Sequence, residues 1–311
     1  MNIQENIQDN IQENIQDNKV EYISLNSYLK KTFGCKVYKL AIDAGFTCPN
    51  RDGKIDNRGC IFCSGKGSGD FTESSDLSIT DQINEGKKRV SKKINNGRYI
   101  AYFQAFTNTY APVEHLEKIY KEAINHPDIV AISIGTRPDC LEDDVLDLLE
   151  KINKIKPVFV ELGLQTIHEN TAKFIRRGYD LSVYDSAVCN LKKRSINVIV
   201  HVIIGLPNET KKEMLETVEY VKNSNADGIK LQLLHVLKET DLEKEYLDKK
   251  FKCLSMEEYI DIICDCLKII DKKMVIHRLT GDGDKKILIA PMWSGDKKRV
   301  LNELNKKIKA V

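Results

Sequence analysis

Val198-Ile-Val-His-Val-Ile-Ile-Gly-Leu-Pro-Asn-Glu-Thr210 is a nearly unbroken apolar run that stops at a glycine and a proline. An amphipathic stretch to position 223 follows it, and then Gly228-Ile-Lys-Leu-Gln-Leu-Leu234. Strand-length runs this rich in Val, Ile and Leu are covered on both faces, and a helix between two of them makes a parallel crossover. The same alternation recurs upstream. Candidate strands are 37–43, 99–106, 129–134, 158–162, 198–204 and 228–234. Amphipathic helices are predicted near 80–95, 113–125, 141–153, 168–176 with 182–194, and 210–223. Six βα units in series predict an α/β fold on a parallel sheet, either doubly wound or curved into a partial barrel. A full eight-unit barrel needs about 250 residues of repeat, and the repeats here fill only positions 35–235.

Beyond the repeats the pattern predicts a helix near 255–271, a strand near 274–279 and a last helix near 296–309, with no linker marking off a second globular domain. Residues 2–17 are the octapeptide Asn-Ile-Gln-Glu-Asn-Ile-Gln-Asp written twice. Such a polar, low-complexity segment cannot bury a core. The expected organisation is a disordered tail at 1–18, a barrel core at 19–240 and an extension at 241–311 packed on the barrel.

The 311 residues are 41% hydrophobic and 30% charged, enough for a sizeable core. No run of 18 or more apolar residues predicts a membrane span, and no signal peptide is visible, so a cytoplasmic protein is expected. Nine cysteines, an odd and mostly scattered set, favour metal binding over a disulfide framework. The net charge of +2 says little about partners. Basic clusters at Lys87-Lys88-Arg89, Lys192-Lys193-Arg194, Lys211-Lys212 and Lys297-Lys298-Arg299 read as solvated helix faces or as phosphate contacts.

The unusual residues gather at strand ends. After the second strand come Gln104, Ala105 and Thr107; the third ends in Gly135-Thr-Arg-Pro138; the fourth holds Glu161 and Gln165. The fifth contains His201 and ends in Gly205-Leu206, and the sixth runs through Lys230, Gln232 and His235. Ligands of βα folds bind at the C-terminal ends of strands, so these groups are expected on one rim. The loop after the first strand carries Cys48, Cys60 and Cys63, the last two as Cys-x-x-Cys. Three thiolates suit an iron–sulfur cluster with an open position. The spacing equally suits structural zinc with Cys35 or a histidine as the fourth ligand. Thioredoxin-like redox use fits less well, because this Cys-x-x-Cys does not open a helix.

The loop Cys48-Pro-Asn-Arg-Asp-Gly…Gly59-Cys-Ile-Phe-Cys63 resembles that of radical S-adenosylmethionine (SAM) enzymes, and more narrowly the YhcC/YtqA-type group related to the elongator catalytic subunit. Supporting motifs, one per strand, are Phe103-Gln-Ala-Phe-Thr-Asn-Thr-Tyr110, Ile132-Ser-Ile-Gly-Thr-Arg-Pro-Asp139, Val160-Glu-Leu-Gly-Leu-Gln165, Arg177-Gly-Tyr179, Ile204-Gly-Leu-Pro-Asn-Glu-Thr210 and Arg278-Leu-Thr-Gly-Asp282. The first cysteine gap is longer than the commonest family spacing, as also occurs in the elongator-like class. The resemblance covers about residues 22–300 and implies a partial (β/α)6 TIM-like barrel of the radical SAM type.

It further implies a 4Fe-4S cluster on Cys48, Cys60 and Cys63, with SAM on the fourth iron through its amino and carboxylate groups. Cleavage of SAM then yields a 5′-deoxyadenosyl radical. Gln104, Ala105 and Thr107 fall where relatives receive the methionine amino group, although the glycines usual there are missing. Glu161, Gln165 and Arg177 fall where relatives contact SAM, with a structural Glu161–Arg177 ion pair as the rival role. Gly205 and Leu206 would approach the adenine, and His201 is a core histidine or a substrate contact. Of the remaining cysteines, which share no ligand spacing, Cys140 near the third strand's rim is the candidate second radical or acceptor site. Phe62 would shield the cluster. Members of this group are associated with the wobble uridine of tRNA, converting its 5-carboxymethylaminomethyl form to 5-aminomethyl. That implies a tRNA docked on the barrel itself and an electron donor such as flavodoxin or ferredoxin. A radical step on a small metabolite or porphyrin is the alternative reaction, and a zinc-stabilised RNA-binding protein without catalysis is the alternative of another class.

Overall fold

The structure, a computed structural model, describes residues 21–67, 72–93, 97–281 and 283–310. The octapeptide repeat and Asp282 lie outside them. The strands that the apolar runs predict are present: β2 (Val37–Ile42), β3 (Arg98–Phe103), β4 (Ile129–Thr136), β5 (Val158–Gln165), β6 (Asn197–Ile204) and β7 (Gly228–Leu233). Between them run α2 (Ile79–Val90), α3 (Val113–Asn125), α4 (Asp143–Asn153), α5 (Glu169–Phe174) with α6 (Leu181–Lys193), and α7 (Lys211–Asn223). α7 starts where Thr210 and Glu213 form a reciprocal capping box, satisfying donors that the first turn leaves unpaired.

Two strand ends differ from the reading of the sequence by three residues. β3 stops at Phe103 because Phe106 turns into left-handed backbone at φ 59°. β5 runs three residues further, to Gln165. Additional elements are β1 (Ile23–Ser24), α1 (Leu25–Phe33), β8 (Val236–Leu237), α8 (Asp241–Leu247) and β10 (Leu288–Ala290). Most are two or three residues long or a single polar turn or two, too short to show a period. The chain also forms α9 (Met256–Ile269), β9 (Val275–Arg278) and α10 (Lys297–Ala310).

Eight strands form one parallel sheet in the order β1-β9-β7-β6-β5-β4-β3-β2, and β8 and β10 pair separately and antiparallel. β9 comes from the segment read as an extension, yet it sits in the main sheet between β7 and β1. The sheet curls. Lys230 on β7 donates to the Tyr102 hydroxyl on β3 at 3.1 Å, across four strand spacings. A flat sheet at about 4.8 Å per strand would hold them roughly 19 Å apart. This is the curved alternative of the two that the repeat pattern allows.

Alternation along each strand then sorts side chains to the two faces of the curl. Val160, Leu162 and Leu164, and likewise Val200, Val202 and Ile204, pack outward beneath the helices in the main core. The inward residues form three layers. At the strand starts Val37, Ile100, Ala131, Phe159 and Ile199 make an apolar plug closed by Leu29 of α1. One step along come Lys39, Tyr102, Ser133, Glu161, His201 and Lys230. Above those stand Gln104, Gly135, Gly163, Ile203 and Gln232, which border an open cavity. No helix among the described residues is long and apolar enough to cross a membrane.

Candidate active site

The cavity, of about 310 Å³, opens at the C-terminal ends of the strands. The loop between β2 and α2 forms one wall and brings Cys48, Cys60 and Cys63 to it. Short backbone bonds fold this loop on itself: Arg51 and Asp52 N–H donate to the Cys48 carbonyl, Gly59 N–H to Asn50, and Cys63 N–H to Cys60. The Arg51 guanidinium ties its ends by donating to the Cys63 and Ser64 carbonyls at 2.9 and 2.7 Å. Gly59 is required beside it, since its φ is +77° and a Cβ would lie 2.8 Å from Arg51 Nε. Asn50 spans from this loop to the next wall, donating to the Arg176 carbonyl at 2.7 Å and to Cys60 Sγ at 3.4 Å. Burial and the neighbouring Cys63 push the Cys60 thiol up to about 11, against the pull of Arg137 and Asn50.

Gln104, Thr107, Glu161, Gln165, Arg177 and His201 all border the same cavity as the cysteines, as does Phe62. Gln165 takes left-handed backbone at φ 69°, and its Oε1 is buried without a partner among the described residues. Ser64 Oγ on the opposite wall is in the same state. Arg177 is held by the Thr166 and Tyr179 carbonyls at 2.7 and 3.0 Å, and lies under the Tyr179 ring. It does not pair with Glu161; its acidic neighbour is Glu169 at 3.5 Å.

Ala105, Gly205, Leu206 and Cys140 do not border the cavity. The Ala105 carbonyl already accepts from Asn108 Nδ2 at 3.0 Å. Leu206 is buried in an apolar cluster with Ile61, Ile175 and Ile203, and a Cβ on Gly205 would press on Leu254. Both back the wall without forming it. Cys140 is buried behind the rim, its thiol directed at Asp139, and burial pushes it up to about 12. Neither its position nor its protonation suits a radical or acceptor thiol facing a substrate. Cys35 lies against the apolar plug, at the end of the barrel away from the cavity, and so cannot join the other three thiols.

Glu161 anchors the middle layer. Its Oε1 accepts from Lys39 and from Ser133 Oγ at 2.6 Å, and its Oε2 from Lys230 and from His201 Nε2 at 2.8 Å. Burial alone would raise this carboxyl, but Lys230 and Lys39 outweigh it and hold it well below the usual carboxylate range. Gln232 Nε2 donates to His201 Nδ1 at 3.2 Å, which leaves the proton on Nε2 for Glu161. Burial, with Lys230 beside it, pulls His201 down to about 4, so the ring is a neutral bridge. Lys39 and Tyr102 carry no sequence assignment above, and Arg278 enters there only as the start of a motif. The signal was there in part, as single polar residues at alternate positions of otherwise apolar strands.

A model of the radical SAM superfamily matches residues 57–221, and one of the radical SAM C-terminal domain matches residues 226–310. The uncharacterized protein YtqA of Bacillus subtilis (strain 168) is 47% identical over 287 residues, spanning 92% of this chain and 89% of its own length. The chain belongs to the radical SAM superfamily. Radical SAM enzymes use a 4Fe-4S cluster and SAM, and this chain is such an enzyme. The tRNA uridine(34) acetyltransferase of Methanocaldococcus jannaschii is 29% identical over 196 residues; the match spans 62% of this chain and 34% of that one. The archaeal Methanocaldococcus infernus Elp3 with an N-terminal deletion has the same fold, with a TM-score of 0.65 at 18% identity, over 88% of this chain and 63% of that one.

The residues present fit the radical SAM cofactors. Three thiols border one cavity, and unpartnered buried acceptors, Gln165 Oε1 and Ser64 Oγ, stand on its walls. No three His, Cys, Asp or Glu side chains among the described residues converge on one point as a single metal ion requires.

Proposed function

We propose that this radical SAM enzyme acts on the wobble uridine of tRNA and converts its 5-carboxymethylaminomethyl substituent to 5-aminomethyl: the carboxymethyl carbon would give up a hydrogen atom and one electron to the cofactors, and hydrolysis of the resulting imine would release the two carbons as glyoxylate. The observation that carries the reading is the cavity itself, with three thiols on its upper wall and a charged layer deep in the barrel beneath. A base splayed out of an anticodon loop enters such a depression edge first. The similarity to a tRNA uridine(34) acetyltransferase supports tRNA as the substrate class.

In this reading Cys48, Cys60 and Cys63 hold the cluster, and Gln104, Thr107, Gln165 and Arg177 face SAM. Bound together, the two cofactors supply a carbon radical able to take hydrogen from an unactivated C–H bond, with the electron coming from a flavodoxin or ferredoxin. Phe62 and Ile203 exclude water from the space between. Helices run opposite to the strands, so Lys87-Lys88-Arg89 and Lys192-Lys193, in the last turns of α2 and α6, lie at the strand starts, away from the mouth. Several of these cations are also paired, Lys87 with Asp128 and Lys192 with Asp227. Exposed cations on the mouth side include Lys54, Arg58, Lys66, Lys211 and Lys212, of which Arg58 and Lys211 also pair with Asp56 and Asp265, and these would meet tRNA phosphates. Mass spectrometry of tRNA nucleosides from a strain lacking the protein should show 5-carboxymethylaminomethyl uridine accumulating at the expense of 5-aminomethyl uridine. An unchanged wobble-uridine profile would overturn the reading.

A further inference from the structure

The middle layer of the barrel holds two lysines and one carboxylate. Lys39 and Lys230 share one carboxylate, Glu161, which is fully buried. Arg278, in register with Lys230, also borders the cavity. An ammonium has three donors, and each lysine places two of them: Lys39 on Ser133 Oγ at 3.1 Å and on Glu161, Lys230 on Tyr102 Oη at 3.1 Å and on Glu161. Both also lie over the Tyr102 ring. Burial pulls the Lys230 ammonium down to about 7 even with Glu161 beside it, and an anion bound at its remaining donor would hold it charged.

Of the two lysines, Lys230 borders the cavity. Gly135 and Gly163 stand two residues beyond Ser133 and Glu161, on the same inward face, and both border the cavity. Neither has a side chain to cover the lysines, and a Cβ on Gly163 would already lie 2.9 Å from Gln165 Nε2. We propose that Lys230 is the anion subsite that receives the carboxylate of the substrate, with Glu161 as the fixed counter-ion and Lys39 as a positioning residue that shares that counter-ion. That the anion is the carboxymethyl end of a modified uridine rests on the reading above. In the reading above SAM would lie against Gln104, Thr107, Gln165 and Arg177 beside the cysteine loop, so an anion in this deeper layer would belong to a second molecule.

The test measures binding by the anaerobically reconstituted enzyme with saturating SAM. The probes are anticodon stem–loops bearing 5-carboxymethylaminomethyl uridine, its carboxamide analogue, or plain uridine. N-methylglycine, the substituent alone, is followed in parallel by NMR line broadening. The wild type should prefer the carboxylate RNA over the carboxamide by about tenfold or more, the equivalent of one charge-assisted hydrogen bond. Lys230→Gln should abolish that preference and the broadening. Lys39→Met, at a less buried position, should reduce both; thermal melts confirm that the variants are folded. If a folded Lys230→Gln enzyme still prefers the carboxylate, or if it loses SAM affinity and keeps RNA discrimination, the proposal is wrong. If the wild type broadens N-methylglycine in a Lys230-dependent way but binds all three RNAs alike, the subsite stands and the tRNA reading falls. Absence of both responses in the wild type overturns the subsite.

Discussion

Glu161 is the residue on which the barrel interior turns. It is bonded to side chains from β2, β4, β6 and β7, so removing it strands two lysines together in a buried layer. Glu161→Ala should therefore cost roughly 3–5 kcal/mol in urea denaturation, the penalty of breaking a buried pair from one side. The pH dependence has a definite sign. The folded carboxyl titrates well below its ordinary 4.5, so its contribution is complete above that value and is lost as pH falls through the folded pKa. Wild-type stability should drop below pH 4.5 more steeply than that of Glu161→Gln; parallel acid profiles would show the assignment to be wrong. The cysteines offer a second test. Cys48→Ala, Cys60→Ala and Cys63→Ala should each abolish iron–sulfur absorption after anaerobic reconstitution, whereas Cys140→Ala and Cys35→Ala should retain it. A full spectrum from any of the first three removes that residue from the ligand set.

At the scale of elements, the helices are held at their starts by local chemistry. Thr210 with Glu213 begins α7, and Ser255 with Glu258 begins α9, each as a reciprocal capping box. Both follow the Ser/Thr-x-x-Glu pattern that a sequence shows directly. Thr210→Ala and Ser255→Ala should each lower stability by about 1 kcal/mol without changing the iron–sulfur spectrum. A loss several times larger would mean that the caps also carry tertiary contacts. The strands were legible for a related reason, since a run covered on both faces leaves almost no polar position. The same property hid their inward faces. Lys39, Glu161, His201 and Lys230 are single polar residues in apolar company, and only the register places them at one level.

At the scale of the molecule, the last seventy residues complete the sheet. β9 lies between β7 and β1, and α9 contributes Tyr259, Ile263 and Leu267 to the main core. A chain cut after Thr240 would expose the hydrogen-bonding edge of β7 and the apolar surface beneath α9. It should be insoluble or lack a cooperative thermal transition, and a soluble, cooperatively melting fragment 1–240 would instead establish the barrel core as an independent domain.

Period, composition and spacing are local properties, so the sequence by itself determined the six βα units, the rim of unusual residues and the three cysteines. Curvature, facing and depth arise from packing between segments far apart in the chain. Only the tertiary structure decided that the sheet curls until Lys230 reaches Tyr102, and that Cys140, Ala105, Gly205 and Leu206 stand behind the cavity wall. It alone gathered Lys39, Glu161 and Lys230 into one buried layer, because a charge cluster drawn from three strands exists only once the curl has brought their inward faces together.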